Sequence, residues 1–179
     1  MKKYIKLVII ASMLVSPMAV AETTYGGLSY GRVNLDDIYT GNIGIVLGGI
    51  ADNGLGFEFF YSFTVVDYEF SSGSTFGGNN YESAETDTVG LFAVYQTPGD
   101  VYFKAKLGYS YINLTLDGEG DGKDSDTTDG FSYGIAGGMA IGDGAIEATY
   151  FWFPEFENFD GVSVDEDVEM LNFTYLWTF

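Results

Sequence analysis

Val168-Glu169-Met170-Leu171-Asn172-Phe173-Thr174-Tyr175-Leu176-Trp177-Thr178-Phe179 ends the chain. Every second residue in it is large and apolar: Leu171, Phe173, Tyr175, Trp177 and Phe179. Met170, Asn172, Thr174, Leu176 and Thr178 lie between them and form a more polar, mixed set. A period of two belongs to a strand with two different faces. Such a strand suits two settings: the buried terminal strand of a soluble sandwich, or a strand whose aromatic face meets lipid. Termini fray into water, so a bare aromatic end is poorly placed in a soluble protein. In the membrane interface it has a reason to exist.

The same alternation recurs upstream. Strands are predicted over Thr24–Val33, Asn42–Ile50, Leu55–Val66, Thr88–Gln96, Val101–Leu114, Phe131–Ile141 and Ala145–Phe153, which with the closing strand makes eight. In Val101–Leu114 the odd positions Val101, Phe103, Leu107, Tyr109 and Tyr111 are apolar, whereas the even positions carry Lys104, Lys106 and Ser110. No stretch holds a helical period. The first strand is ambiguous, because Tyr25-Gly26-Gly27-Leu28-Ser29-Tyr30 fits either facing.

The connections alternate in length. Asp52-Asn53-Gly54, Thr97-Pro98-Gly99-Asp100 and Gly142-Asp143-Gly144 carry tight-turn chemistry. Asn34–Gly41, Glu69–Asp87, Asp117–Gly130 and Pro154–Asp167 are longer and polar. Short turns on one side and long loops on the other are the pattern of outer-membrane barrels. Both chain ends are then expected on the periplasmic side.

The amino terminus fits export. Met1-Lys2-Lys3-Tyr4-Ile5-Lys6 precedes the apolar run Leu7–Val15, and Ala19-Val20-Ala21 supplies a small-residue cleavage pattern. Residues 1–21 are therefore expected to be a signal peptide, and residues 22–179 the barrel domain. The apolar run is too short for a membrane anchor and is interrupted by Ser16-Pro17. There is no cysteine. An exported small domain usually relies on disulfides, whereas a barrel is held by its closed strand ladder. The formal charge is −19, and without Lys2, Lys3 and Lys6 the basic residues are Arg32, Lys104, Lys106 and Lys123. Phosphate backbones need clustered bases, so nucleic acid is not an expected partner.

With these features together, the chain resembles the small eight-stranded outer-membrane β-barrel family, as in the OmpA and OmpX transmembrane domains. The resemblance spans residues 22–179. It implies an all-β, up-and-down antiparallel transmembrane barrel, with lipid and lipopolysaccharide around it and a monomeric state. It also implies that Leu171, Phe173, Tyr175, Trp177 and Phe179 are read by the barrel-assembly machinery during insertion. The chain departs from the OmpA pattern in carrying no peptidoglycan-binding domain after the barrel.

Candidate chemistry is sparse. The sequence contains no histidine, and several small outer-membrane barrel enzymes resemble one another in using one as a base, so an enzyme is not expected. Glu58, Lys104, Lys106 and Glu147 share the face opposite the aromatics, with Arg32 as a further candidate. All except Arg32 lie near a short turn, so they should gather in the periplasmic half of the lumen. Buried charges must pair, and an eight-stranded interior has room only for side chains. Such a cluster reads either as a neutral plug or as a gate whose pairs rearrange to pass ions. Most of the 26 acidic residues lie on or beside the long segments. Asp117, Glu119 and Asp121 open the densest of these and resemble the start of a calcium loop. Thr128 stands where such a loop needs a bidentate glutamate. Ca2+ or Mg2+ there would be the only cofactor expected. The functional expectation is a structural or surface-interacting barrel with a filled lumen. A narrow ion or small-solute channel is the alternative, and a soluble periplasmic ligand-binding barrel ranks last.

Overall fold

The computed structural model describes residues 21–35, 38–69, 75–76, 79–118, 122–159 and 162–179. The expected signal peptide, apart from Ala21, lies outside the described residues. In chain order the strands are β1 (Thr23–Leu35), β2 (Ile38–Ile50), β3 (Leu55–Val66), β4 (Tyr68–Glu69), β5 (Thr75–Phe76), β6 (Asn79–Gln96), β7 (Val101–Gly118), β8 (Gly122–Ile141), β9 (Gly144–Phe159) and β10 (Val162–Thr178). Neighbours run β3-β2-β1-β10-β9-β8-β7-β6, and β3 also pairs with β6, so the order is a continuous ring. All these pairings are antiparallel. The wall is thus an eight-stranded barrel, as the sequence predicts. The two-residue strands β4 and β5 pair with β6 beside it.

Closure falls between the two ends of the chain. β1 and β10 pair from Tyr25↔Thr178 to Leu35↔Val168. Beyond the ladder, the Phe179 amide donates to the Thr24 carbonyl (3.0 Å), and the Thr24 hydroxyl donates to the Phe179 carbonyl (2.7 Å). Gly54, Gly99 and Gly142 stand in the three short turns with φ of 81°, 117° and 60°, a region that favours glycine.

Alternation sorts every wall strand. On β7, Val101, Phe103, Leu107 and Tyr109 point outward, while Tyr102, Lys104, Lys106 and Ser110 are buried inside. On β1, Leu28 and Tyr30 face out and Tyr25, Ser29, Val33 and Leu35 face in, which settles the facing of that strand. The outer surface is broadly apolar, with Phe103 72% and Phe131 80% exposed. Monomeric soluble proteins rarely show so large an apolar surface, but lipid accommodates it.

The long segments are less loop-like than their polarity suggests. β1 and β2 continue until only residues 36 and 37 separate them, and β7 and β8 pair up to Gly118↔Gly122. The reason is a second interior cluster. Leu35, Ile38, Ile112, Leu114, Leu116 and Val168 turn inward and are all at most 4% exposed. Their polar neighbours face water, so the strands outrun the lipid-facing belt. Pro154, expected to begin a loop, lies instead within β9. Between Glu166↔Phe156 and Val168↔Phe153 the register slips. This bulge turns both Phe153 and Phe156 inward, with Pro154 half-buried and Glu155 exposed.

Candidate functional site

The lumen is built in layers, and its centre is a ring of four charges. Glu58 and Glu147 each stand on the fourth residue of their strands, after short turns. Lys104 and Lys106 enter from β7 at nearby levels. Lys104 Nζ lies 2.7 Å from Glu58 Oε2 and 2.7 Å from Glu147 Oε2. Lys106 Nζ lies 2.6 Å from Glu58 Oε1 and 2.7 Å from Glu147 Oε1. Each carboxylate therefore bridges both ammonium groups, and signs alternate around the ring. All four residues are at most 4% exposed. Two charges of each sign leave the site formally neutral, a condition for holding ions away from water.

The ring is closed on both sides. Toward the short turns, the Tyr25 hydroxyl donates to Glu58 Oε2 at 2.7 Å and the Tyr102 hydroxyl to Glu147 Oε2 at 3.3 Å. Both rings lie across glycines. A Cβ at Gly48 would stand 2.6 Å from the Tyr25 ring, and one at Gly138 would stand 2.2 Å from that of Tyr102. Thr149 donates to Glu147 Oε1 at 3.1 Å. Toward the loops, Phe151 covers Lys106 with its ring centre 5.3 Å from Nζ. It also packs on Phe60 and Phe92 at centroid distances of 5.4 and 5.3 Å. Above that stack lies a polar layer. Asn42 Nδ2 donates to the Thr86 carbonyl (2.9 Å), Thr40 and Thr86 share a hydroxyl bond (2.8 Å), and Thr64 donates to the Thr86 carbonyl (3.0 Å). The apolar cluster of the strand extensions lies above this layer.

Arg32 does not join the ring. Its neighbours Gly31 and Val33 face inward, so alternation sends Arg32 outward, where its guanidinium stacks 3.8 Å above the Tyr39 ring. Asp117 stands near the far end of β7, 3.5 Å from Lys123 Nζ. Glu119 and Asp121 lie outside the described residues. Among the described residues no group of three acidic side chains is arranged to hold a metal ion. Leu171, Phe173, Tyr175 and Trp177 form an exposed outward row on β10, continued by the exposed Phe179. Tyr25 and Tyr102 are the functional residues that sequence reasoning passed over. Their trace in the sequence is Gly48 and Gly138, which leave room on adjoining strands.

The phenol of Tyr25 makes a close bond to a charged group. Tyr25→Phe is expected to lower stability by about 1.5–3 kcal/mol, measured by urea unfolding in lipid vesicles. Tyr102→Phe, which removes the longer bond, should cost less. The reverse order would mean that the Tyr102 contact dominates the seal.

Residues 7–168 match the protein family described as Outer membrane protein beta-barrel domain. No curated relative matches the sequence. Several solved structures share the fold. Neisserial surface protein A is 13% identical, with 88% of this chain and 96% of that chain covered and a TM-score of 0.62. Ail, the attachment invasion locus protein of Yersinia pestis, in complex with the heparin analogue sucrose octasulfate, is 15% identical over 89% and 99%, with a TM-score of 0.57. OprG from Pseudomonas aeruginosa is 10% identical over 88% and 94%, with a TM-score of 0.53.

Proposed function

This chain belongs to the outer membrane protein beta-barrel domain family, and from that premise we propose that it is a sealed, non-enzymatic envelope barrel acting through its acidic outer face. Family membership implies an outer-membrane location. Export through a cleaved signal peptide at residues 1–21 is part of the proposal. The observation that carries it is the four-charge ring with aromatic and polar layers stacked above it. A conducting pore needs a continuous hydrated path, but the charge ring, the aromatic stack and the Asn42–Thr86 layer each fill the section, with only the buried Ser29, Ser62 and Thr88 hydroxyls and the Asn34 and Asn172 side-chain oxygens lacking a hydrogen-bond partner among the described residues. The partners we assign are lipopolysaccharide, met through divalent cations shared between its phosphates and outer carboxylates, and the barrel-assembly machinery during insertion. The Ail structure holds a polyanion. The outer segments here are dominated by carboxylates, so a cationic surface ligand fits better than a polyanionic one.

Planar-bilayer recording of the refolded protein tests the seal. The expected result is no steady conductance in moderate salt at physiological voltage. A large, stable open state would overturn the sealed reading and favour a channel for ions or small solutes.

A further inference from the structure

Of the four bases outside the expected signal peptide, three are paired. Lys104 and Lys106 are held in the ring, and Lys123 lies 3.7 Å from Glu85 and 3.5 Å from Asp117. Arg32 has no carboxylate within ion-pair distance among the described residues; its guanidinium meets only the Tyr39 ring. Its place in the wall is the outer edge of the apolar belt. Toward the short turns, the outward residues of β1 and β2 beside it are Leu28, Tyr30, Ile43 and Ile45, and Leu171 stands directly across on β10. Beyond it on β1 the next outward residue is Asn34. A strand that passes from leucine through tyrosine to arginine and asparagine is leaving hydrocarbon for headgroups.

Two side chains of β1 cross onto β2 at this level. The Arg32 guanidinium lies 3.8 Å above the centre of the Tyr39 ring. The Tyr30 hydroxyl reaches over Gly41, where an added Cβ would stand 3.0 Å from it. Gly41 is the direct partner of Arg32, and Tyr39 is the next outward residue along β2. Successive outward positions on a strand are about 7 Å apart, so a phenol and a guanidinium stand side by side at a spacing that one phosphate bridges. Stacking covers one face of the guanidinium and leaves its in-plane N–H groups for an acceptor. The Tyr30 hydroxyl makes no hydrogen bond among the described residues. Glu169, two residues from Leu171 on β10, is engaged on its far side, where the Tyr150 hydroxyl of β9 donates to it at 2.6 Å.

We propose that Arg32, Tyr30 and Tyr39 form a binding site for the phosphate of an outer-leaflet lipid headgroup. This rests on the outer-membrane reading above and adds to it a contact that needs no divalent cation. An unpaired charge at the edge of the hydrocarbon is costly unless an anion meets it. A phosphate oxygen pair matches the flat guanidinium fork, and a third oxygen accepts from the Tyr30 hydroxyl. The source is a lipid for two reasons. Exposed Leu28, Ile43 and Leu171 lie directly below the donors and give acyl chains a bed that a free anion leaves unused. Above the donors stand the carboxylate-rich outer segments, which repel an anion arriving from water. A lipid phosphate comes to the site from the side, within the leaflet.

The full barrel, refolded in zwitterionic micelles with excess EDTA, is titrated with bisphosphorylated lipid A, and bound lipid per barrel is counted by native mass spectrometry. The expected result is saturable binding without divalent cations, weakened at least about tenfold when the lipid A is dephosphorylated. Arg32→Gln should weaken the phosphorylated lipid by a similar factor while the barrel keeps its heat-modifiable migration. Tyr30→Phe, which removes one donor, should weaken it roughly three- to tenfold. Arg32→Lys keeps the charge without the fork and should fall between wild type and Arg32→Gln. Lys123→Gln, a base on the acidic outer extension, should change nothing. Equal affinity of wild type and Arg32→Gln would overturn the proposal. Equal binding of the two lipids would reduce the contact to acyl chains and overturn it as well. Displacement of the lipid by an equal concentration of inorganic phosphate would identify a free-anion site and overturn the assignment to a lipid. Binding seen only after CaCl2 replaces EDTA, and equally in Arg32→Gln, would overturn this site and leave the carboxylate-bridged contact standing, so the two readings fail separately.

Discussion

Glu58→Ala is expected to destabilise the folded barrel by about 3–5 kcal/mol, the cost of leaving a buried partner charge uncompensated. Glu58 accepts from Lys104, Lys106 and Tyr25 at 2.6–2.7 Å. Its loss leaves two ammonium groups sharing Glu147 alone, in a space covered by Phe151 above and the two tyrosines below. The penalty comes from the stranded charge more than from the missing contact, which gives a second test. Changing Glu58→Leu together with Lys104→Met removes one charge of each sign and keeps the 2.7 Å pair between Lys106 and Glu147. That double variant should recover most of the lost stability, because well-packed apolar replacements of buried pairs are often neutral. Asp100→Asn, in an exposed turn, should stay within about 0.5 kcal/mol of the parent. Urea unfolding in vesicles reads all three. A single Glu58 variant no weaker than Asp100→Asn would mean that water already solvates the ring, and the seal would fail with it.

The wall was legible because lipid imposes a simple rule on each strand. On β7 the alternation of Phe103, Leu107 and Tyr109 with Lys104, Lys106 and Ser110 fixed both faces, and the ring members followed from it. Arg32 was misread because the residues before it fit either facing. The facing is settled by Val33 and Leu35 burying inward, and Leu35 stood in an expected loop. The loops themselves were overestimated for a related reason. Polar, acidic sequence describes only the outward positions of the extensions, and single inward residues such as Ile38 and Leu116 are too sparse to announce a strand. Pro154 shows the limit most plainly. A proline inside a polar stretch signals a chain break, yet here it interrupts one ladder while β9 goes on pairing with β10. Which neighbour loses its partner depends on pairing across the ring, and no local pattern carries that information.

The row Phe173, Tyr175, Trp177 and Phe179 faces away from the lumen and touches none of the ring, so its substitution tests insertion rather than packing of the interior. Phe173→Ser with Tyr175→Ser, or deletion of Phe179, is expected to remove most of the protein from the outer membrane of expressing cells and leave precursor or degraded chain. Lost lipid contact could lower the yield as well, since each aromatic surrenders about 1.5–3 kcal/mol of apolar burial. A matched variant separates the two causes. Phe131→Ser with Ile135→Ser removes an outward row on β8 that is at least as exposed, at 80% and 60% against 54% and 38%. If the closing strand is read during assembly, the β10 variant fails in cells and the β8 variant inserts, although both refold in detergent with similar losses of stability. Deleting Phe179 adds a further element, because its amide and carbonyl join Thr24 at the closure of the ring. That deletion should slow refolding in vitro as well as insertion. Equal insertion of the β8 and β10 variants would reduce the terminal row to ordinary lipid-facing surface, and recognition would then have to lie elsewhere in the chain.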